Sequence, residues 1–327
     1  MPSSSRLLQR PRWLALGIFL AFVAAFPATS PNAYLLNIVG FAGIHILLSM
    51  GLNILMGYAG QISLGHAAFW GLGAYISGVL TAKFGWPPVL GLVASVLGTC
   101  AVALAIGLPT LRLKGHYLAM ATLGVGIIVH TLFVQWSGLT GGPSGLVDVP
   151  SFSLGGFTIA SAVGNYYFIW ACVAVGAWAA LNLGTSRIGR ALRAIKGGDV
   201  AAECIGVDTY RYKVIVFVLS AAYAAVAGTL YVHYINFAAP DTFGFMQSVL
   251  VLTMVVVGGI GTFWGPIIGG AILTFLPEYL RAYEGLDVVL YGAILVGVMM
   301  FMPNGLASLF RRLSLRLGAT AAARKAR

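Results

Sequence analysis

An all-α polytopic membrane protein is the fold class this sequence predicts, and three observations carry it. Charged residues are 8% of the 327 positions and hydrophobic residues 59%, with a mean hydropathy of +0.93, more apolar side chain than a soluble core of this size requires. The apolar residues fall into runs long enough to enter or cross a bilayer, separated by polar junctions. The basic residues gather at alternate junctions, as orientation in a membrane demands.

In chain order, Arg6, Arg10 and Arg12 precede a first apolar run over 13–26. That run is short and has the shape of a signal peptide, but its best cleavage pattern, Ala28-Thr29-Ser30, is followed by Pro31, so we read it as a span. Runs over 33–56 and 62–81 are separated only by GYAGQ, Gly57 to Gln61, a junction too tight for an ordinary exposed loop. Runs over 88–108, 116–136 and 166–183 come next. Between them lie RLKG (Arg112 to Gly115) and a Gly/Pro/Ser-rich stretch from Ser137 to Gly164. After a basic loop, further runs cover 214–237, 248–259, 264–276 and 288–302, several of them short enough to be broken or re-entrant. The expectation is about ten transmembrane helices, some discontinuous, and no sheet. Residues 1–12 form an N-terminal segment, 13–310 the membrane domain with a polar loop at 184–213, and 311–327 a basic tail.

Charge tests the count independently. With the N-terminus inside, alternation leaves only Lys83 and Arg281 outside among the 19 basic residues. Of the 8 acids, Asp148, Asp241, Glu278, Glu284 and Asp287 fall outside. The net charge of +11 thus belongs to membrane orientation, with lipid as the partner and no nucleic acid implied. Cys100, Cys172 and Cys204 are scattered without metal-ligand spacing, so neither a disulfide nor a metal site is expected.

Composition also restricts the energy source. All the carboxylates lie in loops or at span ends, which removes the buried acids that proton-coupled carriers use as relays. The five histidines, His45, His66, His116, His130 and His233, read mostly as structural, with no intramembrane carboxylate to pair with. No GxxxxGK[ST] phosphate loop occurs, so a P-loop ATPase would have to be a separate subunit.

The loop SRIGRALRAIKGGDVAAECIGVDTYRYK, Ser186 to Lys213, stands out against its apolar surroundings. Ser186 can cap a short amphipathic helix ended by Gly197 and Gly198. Asp199 can cap a second, Val200 to Ile205, stopped by Gly206, and Asp208 can cap the following span. The loop fits either a solvated topology signal or a docking arm. Two Gly-rich breaks form the other candidate site. GYAGQISLGH, Gly57 to His66, places Gln61, Ser63 and His66 among three glycines, which fits either close helix packing or a translocation path. GGIGTFWGPIIGG, Gly258 to Gly270, echoes it through GxxG, Gly57 and Gly60 matching Gly258 and Gly261. Paired interruptions of this kind point to a central pathway.

Seven blocks together resemble a known family. They are GLNILMGYAGQISLGHAAFWGLGAY (51–75), PTLRLKGHYLAMATL (109–123), SGLTGGPSGL (137–146), the loop 186–213, APD (239–241), VVVGGIGTFWGPIIGGA (255–271) and MPNGL (302–306). In this order they resemble the LivM-type permease subunit of branched-chain amino acid ABC importers. The resemblance implies the importer permease fold in a bacterial inner membrane, with both termini cytoplasmic. It also implies a second related permease, two cytoplasmic ATP-binding subunits, and a periplasmic or lipid-anchored substrate-binding protein. ATP would be used by those partners and no cofactor bound by this chain, which would not be an enzyme. Importer permeases carry an EAAxxxG-type coupling sequence that seats in an ATPase groove. Ala201, Ala202 and Gly206 match its small residues, while Val200 replaces its Glu and leaves the charge to Asp199 or Glu203. Urea, an amide or another amino acid is the alternative substrate. A stand-alone channel for a small neutral solute is the alternative of a different class.

Overall fold

Apolar runs without charges become helices because a bilayer offers backbone N–H and C=O groups no water. The computed structural model describes residues 32–113, 115–154, 157–159 and 161–280, with positions 17, 19, 21, 23–27, 289, 292, 293, 296, 297, 300 and 305–307. Its helices are α1 (Ala33–Asn53), α2 (His66–Ala82), α3 (Pro88–Thr110), α4 (His116–Gln135), the short α5 (Ser137–Thr140), α6 (Ala162–Thr185), α7 (Arg187–Gly197), α8 (Asp199–Cys204), α9 (Thr209–Ile235), α10 (Phe245–Gly258) and α11 (Gly265–Leu280). A π-helical turn, Ile54–Tyr58, extends α1.

Among the described residues, five spans are long and apolar enough to cross a membrane: α1 with its π-turn, α3, α4, α6 and α9. Helices α2, α10 and α11 are shorter, with 17, 14 and 16 residues, as expected of broken segments. The first and last expected spans, 13–26 and 288–302, lie partly outside the described residues, and the positions described within them are helical. The chain is therefore a multi-pass helical membrane protein.

Small residues set the packing. Helix α9 lies against α1, α2 and α3. A Cβ on Gly73 of α2 would come 2.5 Å from Cα of Ala225 on α9, and one on Gly228 of α9 would run into the carbonyl of Trp70. The backbones touch because no side chain stands between them.

Three expectations are corrected. A two-residue antiparallel ribbon exists, β1 (Ser153–Leu154) with β2 (Phe157–Thr158), in the loop between α5 and α6. It satisfies backbone groups where the Gly/Pro/Ser-rich sequence disfavours a helix. The run expected over 62–81 becomes helical only at His66, the first residue of α2, because the backbone from Gly60 to Gly65 is not helical. Asp199 is not a cap: Gly198 holds that position and Asp199 begins α8, which ends at Cys204.

The loops sort into two groups. At one end, Leu146 and Ala238 pair backbone to backbone, the Lys83 ammonium donates to the Gly138 carbonyl, and the Tyr34 hydroxyl donates to Glu278. At the other, the Tyr210 hydroxyl donates to the Leu108 carbonyl, and Lys196 reaches Gly57. Every one of these contacts joins residues that charge alternation places on the same side.

Candidate translocation and coupling site

The first break is built where α1 loosens. After Asn53 the helix widens into the π-turn, and Gly60, at φ +70°, turns the chain out of the helix. The start of α2 is then held by hydroxyls from distant helices. Leu64 N–H donates to Thr122 Oγ1 and Ala67 N–H to Ser248 Oγ, both at 3.0 Å. These supply what an N-cap side chain would otherwise provide. Gln61, Ser63 and His66 are all buried within the subunit. The His66 ring lies 3.2 Å from the Leu48 carbonyl through Nε2, whereas Gln61 Oε1 and Ser63 Oγ have no hydrogen-bond partner among the described residues.

The second break meets the first. Helix α10 ends at Gly258, which packs on the Gly265 carbonyl, and Gly259 and Gly261 take φ of +121° and +75°. A Cβ on Gly57 would stand 2.6 Å from both Cα and N of Gly261. The two breaks that GxxG related in the sequence are thus in contact, but through Gly57 of the first and Gly261 of the second, a pair the sequence match did not align. Asn53 stitches the junction: its Oδ1 accepts from Gly261 N–H at 2.8 Å and its Nδ2 donates to the Thr262 carbonyl at 3.0 Å. Lys196, in the last turn of α7, donates to the Gly57 carbonyl at 2.8 Å, and its Cγ would lie 3.6 Å from a Cβ on Gly60. A cation therefore meets the carbonyl end of the first broken helix, where it complements the helix dipole.

The polar loop is an ordered arm. Ser186 caps α7, accepting from Gly189 N–H at 3.1 Å, and Asp208 caps α9, accepting from Arg211 N–H at 3.0 Å. The two carboxylates of α8 are engaged within the chain. Asp199 pairs with Lys213 at 2.6 Å, and Glu203 accepts from the Thr209 hydroxyl at 2.6 Å. Ala202 is buried and Ala201 exposed, so only one of the two alanines faces outward. Val200 and Ile205 are 68% and 74% exposed, and with Cys204 and Gly206 they give α8 a largely apolar outer face.

Sequence reasoning missed Asn53 and the particular role of Lys196. A lone amide inside an otherwise apolar run was the available signal for Asn53. Two histidines behave differently from one another. His233 is held between Ser77 Oγ at 2.8 Å and the Pro150 carbonyl at 2.7 Å, a structural role. His130 has a loop carboxylate near it, Asp241 at 3.6 Å, because the turn Pro240–Phe243 folds back against α4. Asp241 is almost fully exposed, so the pair is not a buried relay.

Short, touching half-helices beside a polar arm, in a bundle of apolar spans, make the class that of a multi-pass membrane protein with broken helices at its centre. The family described as branched-chain amino acid transport system, permease component, matches residues 34–302, and the chain belongs to it. It is a permease subunit of an ABC importer. The high-affinity branched-chain amino acid transport system permease protein LivM of Escherichia coli is 32% identical over 305 residues, covering 84% of this chain and 71% of that protein. LivH of the same organism is 29% identical over 296 residues, covering 83% and 93%. The Escherichia coli ribose import permease protein RbsC is 25% identical over 289 residues, covering 83% and 85%. No solved structure matches the chain significantly.

Proposed function

We propose that this chain is one of two permease subunits of an ATP-driven importer of branched-chain amino acids, seated in an inner membrane with both termini cytoplasmic. Two ATP-binding subunits do the work, a binding protein outside the membrane delivers the solute, and this chain binds no cofactor. The observation that carries the reading is the hydrogen bond from Lys196 to Gly57, which joins the polar arm to the point where two broken helices touch. A loop that served topology alone would need its charges but not this connection.

The coupling we propose is mechanical. The outer face of α8, with Val200, Ala201, Ile205 and Gly206, seats in a groove of the ATPase. Asp199, Ala202 and Glu203 hold the back of α8 to α7 and α9, so α7 and α8 move as a rigid piece. Closure of the ATPases displaces that piece, and Lys196 passes the displacement to the Gly57–Gly261 junction. Gly57, Gly60, Gly258 and Gly261 form the pivot, and Gln61, Ser63 and His66 border the path that opens when the junction parts. The substrate class follows LivM and LivH, which are permease proteins of branched-chain amino acid systems.

The test is uptake of labelled leucine, isoleucine, valine and urea into vesicles carrying this chain with its second permease, ATPases and binding protein. ATP-dependent accumulation of the three amino acids above the external level supports the proposal. Accumulation of urea alone moves the substrate to the amide alternative, and equilibration without ATP makes the chain a channel.

A further inference from the structure

Three polar side chains meet away from both breaks. His45 on α1 lies with Nδ1 2.9 Å from Thr274 Oγ1 on α11, and its Nε2 is 3.5 Å from Nε2 of Gln247 in the first turn of α10. All three are partly exposed. His45 is twelve residues into α1, which begins at Ala33, or about 18 Å along the helix, and Thr274 lies one turn before Glu278 on α11, so the cluster sits within the apolar length of both helices. Polar groups exposed at that depth are costly against lipid and are expected to face water or protein instead.

The hydrogen-bond directions fix what this cluster can do. Thr274 Oγ1 donates to the Gly270 carbonyl at 2.6 Å, so toward His45 it accepts, and His45 Nδ1 carries the proton. Nε2 of His45 is then a lone-pair acceptor, and the Gln247 amide beside it sits at the limit of hydrogen-bond distance. Gln247 also brings the start of α10 to this depth. The N-cap there is Gly244, which has no side chain to satisfy the first N–H groups, and the positive end of the helix dipole lies with it.

We infer that His45, Gln247 and Thr274 form a solute-contact point on the translocation path, completed by the second permease subunit and shaped for the zwitterionic head of an α-amino acid. The inference rests on the importer reading above. The solute ammonium donates to His45 Nε2, and its carboxylate accepts from the Gln247 amide and the first N–H groups of α10. Thr274 positions the imidazole by fixing its tautomer. The cluster makes no demand on the solute side chain, which leaves selectivity to the binding protein.

The test uses the full complex with Cys100, Cys172 and Cys204 replaced by Ala. Gln247→Cys and Thr274→Cys should react with a cationic, membrane-impermeant thiol reagent much faster than Ile128→Cys on α4, an apolar position with 62% exposure. Leucine transport should be blocked by the reaction. In the otherwise unaltered complex, His45→Phe and Gln247→Leu should each lower leucine uptake about tenfold, the loss of one hydrogen bond to a charged group. ATP hydrolysis stimulated by loaded binding protein should persist. Gln247→Glu should lower uptake further than Gln247→Leu, since it sets a like charge against the carboxylate. Labelling no faster than at Ile128→Cys would overturn the contact point, as would unchanged uptake in both apolar variants. If the unaltered complex accumulates no amino acid while the cysteines still react, the import reading fails and a water-lined site remains.

Discussion

At the scale of single residues, a buried polar atom without a partner gives a clean separation of stability from function. Gln61 Oε1 and Ser63 Oγ are such atoms, so Ser63→Ala and Gln61→Leu remove groups that have no hydrogen-bond partner among the described residues. Removing an unsatisfied buried group is near neutral or stabilising, whereas removing one partner of a satisfied pair costs about 1–3 kcal/mol. We expect both variants to assemble and to melt in detergent at or above the parent temperature, while leucine uptake falls severalfold. Unchanged uptake would make the break a packing device alone. Lys196 works in the opposite sense, as a satisfied donor at a helix carbonyl end. Lys196→Met removes the cation and its bond, worth about 1.5–3 kcal/mol for a charge-assisted pair. ATP hydrolysis by the complex should continue with fewer leucines moved per ATP, and Lys196→Arg should recover part of the ratio. Equal transport per ATP in Lys196→Met and the parent would remove this residue from the coupling route.

At the scale of elements, α8 has its charges turned to its own chain and its apolar side chains turned out. Widening Ala201 to Trp should obstruct seating in a groove, since overpacking costs about 1–3 kcal/mol. Val200→Ser and Ile205→Ser should weaken docking by a different route, through lost apolar burial of about 1.5–3 kcal/mol for each fully covered side chain. Copurification of the ATPase and substrate-stimulated hydrolysis measure both. A topology loop would leave both unchanged, because none of these substitutions alters a basic residue. The ends of these helices show how far the sequence could be read. Ser186 and Asp208 were legible as caps because each bonds an N–H three residues ahead. Asp199 looked like a third cap, but its partner Lys213 is 14 residues away and only tertiary structure presents it. The start of α2 at His66 was not legible, because hydropathy is blind to a glycine at positive φ and to hydroxyls delivered from Thr122 and Ser248. The GxxG echo was visible in the sequence, whereas the contact between Gly57 and Gly261 required the fold.

At the scale of the whole molecule, charge and hydropathy bear on topology separately, and the loop contacts among the described residues add a third line. A miscount by one span between the partners would put Lys83 and Gly138, or Leu146 and Ala238, on opposite faces of the bilayer, yet each pair is joined by a hydrogen bond. It would equally separate Lys196 from Gly57 and Tyr210 from Leu108. These bonds establish which loops share a side but not which side faces the cytoplasm, and that sense comes from the basic residues alone. Arg187, Arg190, Arg193 and Lys196 crowd one end, while Asp148 and Asp241 lie at the other. Single cysteines therefore decide the orientation in two measurements. Arg193→Cys and Arg311→Cys should react with an impermeant thiol reagent only from the cytoplasmic face, and Asp148→Cys and Glu284→Cys only from the outer face. Reversed labelling of all four would invert the protein and leave α8 out of reach of a cytoplasmic ATPase. Labelling of Arg193→Cys and Asp148→Cys from one face would break the alternation itself, because α6 stands between the loops that carry them and spans the bilayer by length and hydropathy.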